Sequence, residues 1–332
     1  MSVSIANLNS FCGVECATSL KDYANVFEKE YKSSIHDYSY DEFLSKFKTK
    51  LDSKKLCFRG AGHSMHGRSL PSSGEILVST CNMNRVKILD HITLEVDCGV
   101  QIGSLNAFLN QYNCRLPIIH SGGSGGPSVA GFFLAGGFGI DSSIFGGFWS
   151  NVEEILWSDC LSVESNWYDQ TDSKFWEISG SGGRIAGFLE KLRLRFFVND
   201  DSTKYCLPSN FVIYPQPHPF EIPTIWWTIF CPTSYERELR RIVRSFLPFL
   251  TEFVLLLAPR KILINQVNSY PNFLSCFDEP LYAISIGGQL LGDRSNSAYQ
   301  VSLIIEDLCV KCHPFLVSYS SSEFSSSSFL QS

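Results

Sequence analysis

The stretch that decides the fold is Leu56-Cys57-Phe58-Arg59-Gly60-Ala61-Gly62-His63-Ser64, a short apolar run followed at once by glycines at alternate positions. The apolar run predicts a buried strand, and the glycines predict a tight loop at its carboxyl end. Because glycine has no Cβ, such a loop can adopt φ > 0 and bring bare backbone N–H groups close to a bulky anion. The loop also carries His63, an imidazole that a loop built only to bind phosphate does not need.

A second glycine-rich segment extends from Ser121 to Gly139. Each such segment can present backbone N–H groups to negative charge. Two of them in one chain indicate a large phosphorylated cofactor that is held from two sides.

Composition and charge exclude several classes of protein. With 332 residues, of which 44% are hydrophobic and 18% charged, the chain is long enough for a large core or for two domains. The net charge of -6 and the lack of a Lys/Arg run give no reason to expect nucleic acid as a partner. No apolar run reaches the ~18 residues of a membrane span, and the N-terminus lacks the features of a signal peptide. The sequence therefore predicts a cytoplasmic protein without a membrane span, whose 12 cysteines are small buried hydrophobes.

Other cofactor motifs are incomplete or stand in the wrong context. Met65 occupies the third-glycine position of a dinucleotide-binding fingerprint, and the acid that would bind the ribose is missing. His63 and His66 could be metal ligands, but no cluster of Cys, His or carboxylate completes a metal site. The segment Cys309–His313 matches a c-type haem attachment pattern. We interpret it as a chance match at a helix end, because haem attachment requires export.

Hydrophobic periodicity predicts strands and helices along most of the chain. Up to residue 200, strands are predicted at 56–59, 76–80, 93–97, 152–157, 161–164 and 189–198, and helices at 41–51 and 102–112. The strands at 152–157 and 161–164 are expected to form a hairpin. Beyond a cluster of prolines, strands at 224–230 and 282–291 alternate with helices at 234–246 and 298–313, which predicts a second α+β unit. The serine-rich residues from 318 onward predict a disordered tail.

Five motifs follow one another in order and with a recurring spacing. They are Arg59–Ser64, Val96–Gly103, Ser128–Gly139, Gly146 with Ser150–Val152, and Phe175–Gly183. In this combination, residues 36–198 resemble the FAD-binding domain of the vanillyl-alcohol oxidase / p-cresol methylhydroxylase superfamily. The first loop is most similar to cytokinin dehydrogenases, aldonolactone oxidases and alditol oxidases.

The resemblance implies a fold and a division into domains. The expected fold is α+β, with a two-subdomain PCMH-type FAD-binding domain followed by a short α+β substrate module. The expected boundaries are an N-terminal segment 1–35, the FAD-binding domain 36–200, a small substrate or cap module 206–317 and a tail 318–332.

The resemblance also implies cofactor positions, with the FAD pyrophosphate against backbone N–H groups of Gly60–Ser64. His63 matches the histidine that bonds covalently to the flavin 8α-methyl group, so we expect an 8α-histidyl link; the alternative is a loop histidine that only hydrogen-bonds. Ser124 stands where relatives with a second, cysteinyl link have Cys, so a double link is not expected. The matching cofactor positions are Arg59, Gly60, Ala61, Gly62, His63, Ser64, Arg68, Gly123, Ser128, Leu134, Phe138 and Gly187.

The implied function is that of an FAD-dependent oxidase or dehydrogenase, which transfers hydride from a small CH–OH or CH–NH substrate to flavin N5. The electron acceptor would be oxygen or a redox partner. In cytokinin dehydrogenases an Asp just before the second glycine run is the base; Gly123 stands there in this chain, so no catalytic residue is assigned. Only residues 207–332 remain for a substrate domain, which leaves a flavin-binding protein without turnover as an alternative. An NADPH-dependent reductase of the same broad fold is a third interpretation, which the Arg59–Ser64 loop disfavours.

Overall fold

A computed structural model describes most of the first 213 residues and the strands beyond them. The described residues are 41–43, 56–64, 69–71, 75–118, 125–139, 141–159, 164–181, 186–199 and 208–213, the strand segments 20–21, 28–29, 36–37, 224–232, 250–262, 281–290 and 315–316, and positions 234, 237 and 241.

Seventeen strands and four α-helices are described, with one 3₁₀ helix at Phe148–Asn151. The strands are β1 (Leu20–Lys21), β2 (Glu28–Lys29), β3 (His36–Asp37), β4 (Leu56–Arg59), β5 (Ile76–Ser79), β6 (Arg85–Ile88), β7 (Thr93–Asp97), β8 (Cys114–Arg115), β9 (Val152–Ser158), β10 (Ser165–Asp169), β11 (Phe188–Arg195), β12 (Phe197–Val198), β13 (Asn210–Val212), β14 (Thr224–Pro232), β15 (Leu250–Ile262), β16 (Leu281–Leu290) and β17 (Phe315–Leu316). The helices are α1 (Ile102–Asn110), α2 (Val129–Leu134), α3 (Ser142–Phe145) and α4 (Ser173–Ile178).

A small parallel sheet carries the first glycine loop. Its strands lie in the order β3-β5-β4, and Arg59 of β4 pairs in register with Ser79 of β5. Because parallel strands end at the same edge of a sheet, the loop after Arg59 and the chain after Ser79 leave side by side. This edge is where ligands commonly bind in parallel sheets.

A six-stranded sheet forms the wall of the core. Its order is β10-β9-β11-β7-β6-β13, and all its neighbours are antiparallel. Alternation along β7 explains its position, because Leu94 and Val96 are fully buried on one face while Glu95 lies on the other. The short strands β8 and β12 pair with each other.

The helices cover the apolar face of this sheet. Ile102, Leu105 and Leu109 have helical spacing and bury one face of α1 in a single hydrophobic cluster with the sheet residues. Asn106 is also buried, and its side-chain oxygen accepts a hydrogen bond of 2.9 Å from the backbone N–H of Leu116. This hydrogen bond holds Leu116, which follows β8 on the way to the second glycine segment, against α1.

The strands beyond residue 213 form an antiparallel sheet in the order β15-β16-β14-β17. Helix α3 lies against β15. Among the described residues, no helix is long and apolar enough to span a bilayer.

The described part of the chain is α+β, as the sequence predicts, and combines antiparallel sheets with one small parallel sheet. The strands at 56–59 and 93–97 are confirmed, as is the hairpin, although its second strand begins at Ser165, beyond the predicted 161–164. Residues 41–43 are helical, as expected for the start of the helix predicted at 41–51, and the rest of that helix lies outside the described residues. The helix predicted at 298–313, most of the one at 234–246, the tail from 318 and the Cys309–His313 segment lie outside them too. The two subdomains, the separate module and the domain boundaries stay predictions.

One prediction about the cysteines is wrong. Cys57, Cys98 and Cys114 are free and buried, as expected for small hydrophobes. Cys81 is also buried, but it is disulfide-bonded. Spacing along the sequence did not reveal this bond, because disulfide pairing depends on which cysteines the fold brings together.

Candidate functional site

The first glycine loop lies directly against the second glycine segment. A Cβ added to Gly60 would lie 2.3 Å from Ser128 Oγ and 2.9 Å from Ser128 Cβ. No side chain larger than hydrogen fits there without displacing Ser128, so glycine is needed for close approach. The structure therefore brings together the two segments that the sequence singled out.

Two features determine the conformation of the loop: a hydrogen bond where it leaves β4 and a left-handed glycine at its turn. The Arg59 carbonyl accepts a 2.9 Å hydrogen bond from the N–H of Thr80, which follows β5. Gly62 has φ +73°, a left-handed conformation that glycine adopts without strain. The next residue, His63, is half-buried, and both of its ring nitrogens are shielded from solvent.

The second glycine segment caps helix α1 with its backbone. The N–H of Ile102 donates to the Pro127 carbonyl at 3.0 Å, and the N–H of Gly103 donates to the Gly125 carbonyl at 2.9 Å. A Cβ on Gly125 would lie 2.7 Å from Gln101 Oε1, so this segment also depends on close approach. Since carbonyl oxygens occupy these first amides of α1, those amides are not available to a bound anion.

Helix α2 connects the remaining glycine motifs. Ser128 is its N-cap, and the Ser128 hydroxyl accepts a 3.2 Å hydrogen bond from the N–H of Gly131. At the other end, the Phe133 carbonyl accepts hydrogen bonds from Gly136 at 3.0 Å and from Gly180 at 3.1 Å. The motif at Gly180 is thus tied to the same helix that touches the first loop.

Gly187 is connected to the first loop through aromatic packing. A Cβ at Gly187 would lie 2.1 Å from Cζ2 of Trp157, and its φ is +157°. The next residue, Phe188, stacks on Phe58 of β4 with ring centroids 4.2 Å apart. Gly187 therefore lies near the strand that leads into the glycine loop.

The structure places most of the predicted site residues on connected elements. Arg59–Ser64 and Ser128 meet directly, Leu134 ends α2 and Phe138 follows it, and Gly187 is linked through Phe188. Arg68 and Gly123 lie outside the described residues. Sequence reasoning missed Thr80, Ser69 and Gln101, which support the two glycine segments. Thr80 could have been found from the rule that parallel strands end at one edge.

Two buried hydroxyls lie next to the glycine motifs, those of Ser79 and Ser179. The hydroxyls of Ser79 and Ser179 are buried and have no hydrogen-bond partner within the described part of the chain. Ser79 ends β5 beside Arg59, and Ser179 directly precedes the Gly180 motif. Because a buried hydroxyl without a partner is costly, these groups indicate places where a ligand can supply the missing bond.

Two ionisable groups at the end of β7, Asp97 and Cys98, are poor candidates for chemistry. Desolvation by burial raises the pKa of Asp97, although Lys191 and Arg85 act against the shift. Burial likewise raises the pKa of the Cys98 thiol well above its ordinary value. Since the thiolate is the reactive form, Cys98 is not an activated nucleophile. The chemistry that the described loop residues offer is hydrogen bonding and the imidazole of His63.

Comparison with known protein families assigns the class. Residues 50–157 match the model of a family described as an FAD binding domain. The match begins before β4 and ends within β9, so it includes both glycine segments. The protein is therefore a flavoprotein with an FAD-binding domain and with FAD as its cofactor. The match covers about a third of the chain and agrees with the FAD-binding domain expected from the sequence.

The solved structures that match this chain are longer than it. BBE-like protein 28 from Arabidopsis thaliana is 16% identical, with 87% of this chain and 52% of that chain covered and a TM-score of 0.47. Glucooligosaccharide oxidase from Acremonium strictum, described with a 6-S-cysteinyl, 8α-N1-histidyl FAD, is 17% identical, with coverages of 85% and 52% and a TM-score of 0.43. A variant of Phl p 4 described as a glucose oxidase is 17% identical, with coverages of 80% and 47% and a TM-score of 0.41.

The chain spans about half the length of these structures. No curated protein matches it in sequence.

Proposed function

We propose that the protein is an FAD-dependent oxidoreductase, an oxidase or a dehydrogenase, that acts on a small CH–OH or CH–NH substrate. One observation carries the proposal: the two glycine segments meet at the carboxyl edge of β4 and β5, inside the range that matches an FAD binding domain. Bound FAD would supply the redox chemistry by accepting hydride from the substrate carbon. The electron acceptor would be oxygen or a redox partner.

The residues of the first loop would hold the diphosphate of FAD. The backbone of Gly60–Ser64 supplies N–H donors, and the left-handed Gly62 lets consecutive amides converge on an anion. Ser128 lies against Gly60 and would contribute its hydroxyl. We further propose Leu134, Phe138 and Gly187 as backbone contacts, and Arg68 and Gly123 as cofactor positions outside the described residues.

His63 is proposed as the site of a covalent flavin link. Its half-buried ring lies in the diphosphate loop and its nitrogens are shielded from solvent, which suits a bond to a buried cofactor. The bond would join a ring nitrogen to the 8α carbon. The imidazole and the methyl group would each lose a hydrogen, and the flavin ring would take up the two protons and the electron pair. Oxygen would then reoxidise the flavin.

Acid precipitation of the purified chain tests this link. We expect the precipitate to remain yellow for the wild-type chain and for His91→Ala, a control at an exposed histidine. His63→Ala should release all its flavin to the supernatant. Flavin that leaves the wild-type precipitate completely would exclude the covalent bond and support the loop histidine that only hydrogen-bonds.

A flavin-binding protein without turnover is the second candidate function. Gly123 stands where cytokinin dehydrogenases have their Asp base, so the resemblance supplies no base for this chain. Anaerobic addition of alcohols, sugar lactones and amines distinguishes the two functions, since only an oxidoreductase bleaches its flavin with one of them. Bleaching by NADPH instead would support the reductase interpretation.

The cellular compartment also stays a proposal. The cytoplasmic location predicted from the sequence conflicts with one observation, the disulfide bond of Cys81. Disulfides persist mainly in oxidising compartments. This bond therefore supports maturation of the chain outside a reducing cytoplasm.

A further inference from the structure

The two ends of the first glycine loop are joined by a buried side chain. Arg59, which ends β4, is only 6% exposed. Its Nη1 donates a 2.9 Å hydrogen bond to Ser69 Oγ and lies 3.5 Å from the Ser69 carbonyl oxygen. Ser69 is the first described residue beyond the loop, so this contact spans the segment 60–68.

Burial makes this contact stronger than a surface hydrogen bond. A guanidinium removed from water needs hydrogen-bond acceptors, and charge-assisted bonds are about twice as strong as neutral ones. Next to Ser69, Leu70 is 4% exposed and anchors this side of the loop in the interior. The other side is held by the bond from the Thr80 N–H to the Arg59 carbonyl.

We propose that Arg59 and Ser69 are positioning residues that hold the glycine loop in its FAD-binding conformation before FAD arrives. The inference rests on FAD binding at this loop and adds a role that acts through the loop backbone. An ordered loop binds its ligand more tightly because less conformational entropy is lost on binding. The affinity for FAD should therefore depend on the Arg59–Ser69 bond even if neither side chain contacts the cofactor.

Ser69→Ala tests the bond and leaves the charge of Arg59 in place. The full chain carries His63→Ala as a background so that FAD binding is reversible, and FAD affinity is measured by fluorescence titration. We expect Ser69→Ala to raise the Kd about tenfold, the scale of one hydrogen bond to a charged group. Ser69→Thr keeps the hydroxyl and should restore the affinity. Ser173→Ala, at an exposed serine that begins α4, should change nothing.

Hydrogen exchange of the FAD-free chain distinguishes local ordering of the loop from stabilisation of the whole fold. The amides of residues 60–64 should exchange faster in Ser69→Ala, while those of β7 and β11 should keep their protection. Faster exchange throughout β7 and β11 would show that Ser69 stabilises the fold as a whole and would overturn the proposal. The proposal would also be overturned if the Kd of Ser69→Ala stayed within about twofold of the reference chain, because the loss of a charge-assisted hydrogen bond should raise it further.

Failure of the cofactor assignment would look different. The reference chain, with Arg59 and Ser69 intact, would then bind no FAD at all. The exchange measurement on the FAD-free protein would still decide whether the Arg59–Ser69 bond orders the loop.

Discussion

The contact between Gly60 and Ser128 makes a quantitative prediction about how the two glycine segments are coupled. In Gly60→Ala the new Cβ would lie 2.3 Å from Ser128 Oγ, well inside van der Waals contact. Ser128 cannot rotate away freely, because it is buried and its hydroxyl caps α2 by accepting from the Gly131 N–H. Relief therefore requires loss of the cap or displacement of the loop.

The expected cost follows from the size of these effects. Overpacking a well-packed site destabilises a protein by about 1–3 kcal/mol, so Gly60→Ala should lower the free energy of unfolding by that amount. Ser128→Gly removes the obstructing side chain and, as an N-cap replacement by glycine, should cost only a few tenths of a kcal/mol, roughly. After the Ser128 side chain, the next nearest atom to this Cβ is Thr80 Oγ1, at an ordinary 3.6 Å. The double variant should therefore be more stable than Gly60→Ala alone, although it carries one more substitution.

Urea denaturation of the FAD-free chain measures this coupling as a double-mutant cycle. We expect the two substitutions to compensate by about 1–2 kcal/mol, seen as a shift in midpoint with an unchanged slope. FAD affinity should follow the same pattern, since displacement of Gly60 moves the amides that would meet the diphosphate. Effects that add to within about 0.5 kcal/mol would show that the segments are not in contact, and would refute the reasoning.

Two further predictions concern residues near the loop. Gly187→Ala would place a Cβ 2.1 Å from the Trp157 ring at φ +157°, so it should destabilise the chain by about 3 kcal/mol; an unchanged thermal midpoint would contradict the packing of Gly187 on that ring. Asp97→Asn tests the pH dependence of stability, because desolvation raises the pKa of Asp97 and the folded chain keeps its proton to a higher pH than the unfolded chain. Relative to Asp97→Asn, wild-type stability should be highest below the unfolded pKa of about 3.9 and should fall as the pH rises through the raised folded pKa. Urea midpoints across that range measure the difference, and a wild-type advantage that grows with pH would be the opposite result.

Local patterns in the sequence were sufficient where a strand or helix packs one face on the core. The strand predicted at 56–59 is β4, and the strand predicted at 93–97 is β7. The helix predicted at 102–112 is α1, which ends at Asn110. In β7 and α1 the buried apolar residues recur at the period of the element, so the pattern and the packing carry the same information. The strand predicted at 282–291 is β16, displaced by one residue.

Elements whose position depends on distant pairing could not be predicted in this way. Strand β15 contains the continuous apolar run 253–258 followed by Pro259, so its sequence lacks the two-residue alternation by which a strand is recognised. The structure shifts the register between Leu256 and Arg260, which places the proline at an irregularity where its missing N–H is tolerated. Strand β13 has three residues and exists because it pairs with β6 at the edge of the sheet. Helix α2 begins inside the second glycine run, at the cap supplied by Ser128.

The glycine loop itself combines a local requirement with a non-local one. Position 62 requires glycine because its backbone has φ +73°, and this requirement does not depend on any neighbouring side chain. Gly60 has no positive φ, and its side chain is excluded only by Ser128, which belongs to a segment far along the chain. The two glycines look alike in the sequence, yet replacing Ser128 with glycine would remove the requirement at Gly60 and leave that at Gly62 unchanged. A glycine motif read alone therefore predicts a loop, whereas the contact between two such segments, which only the fold brings together, indicates the binding site.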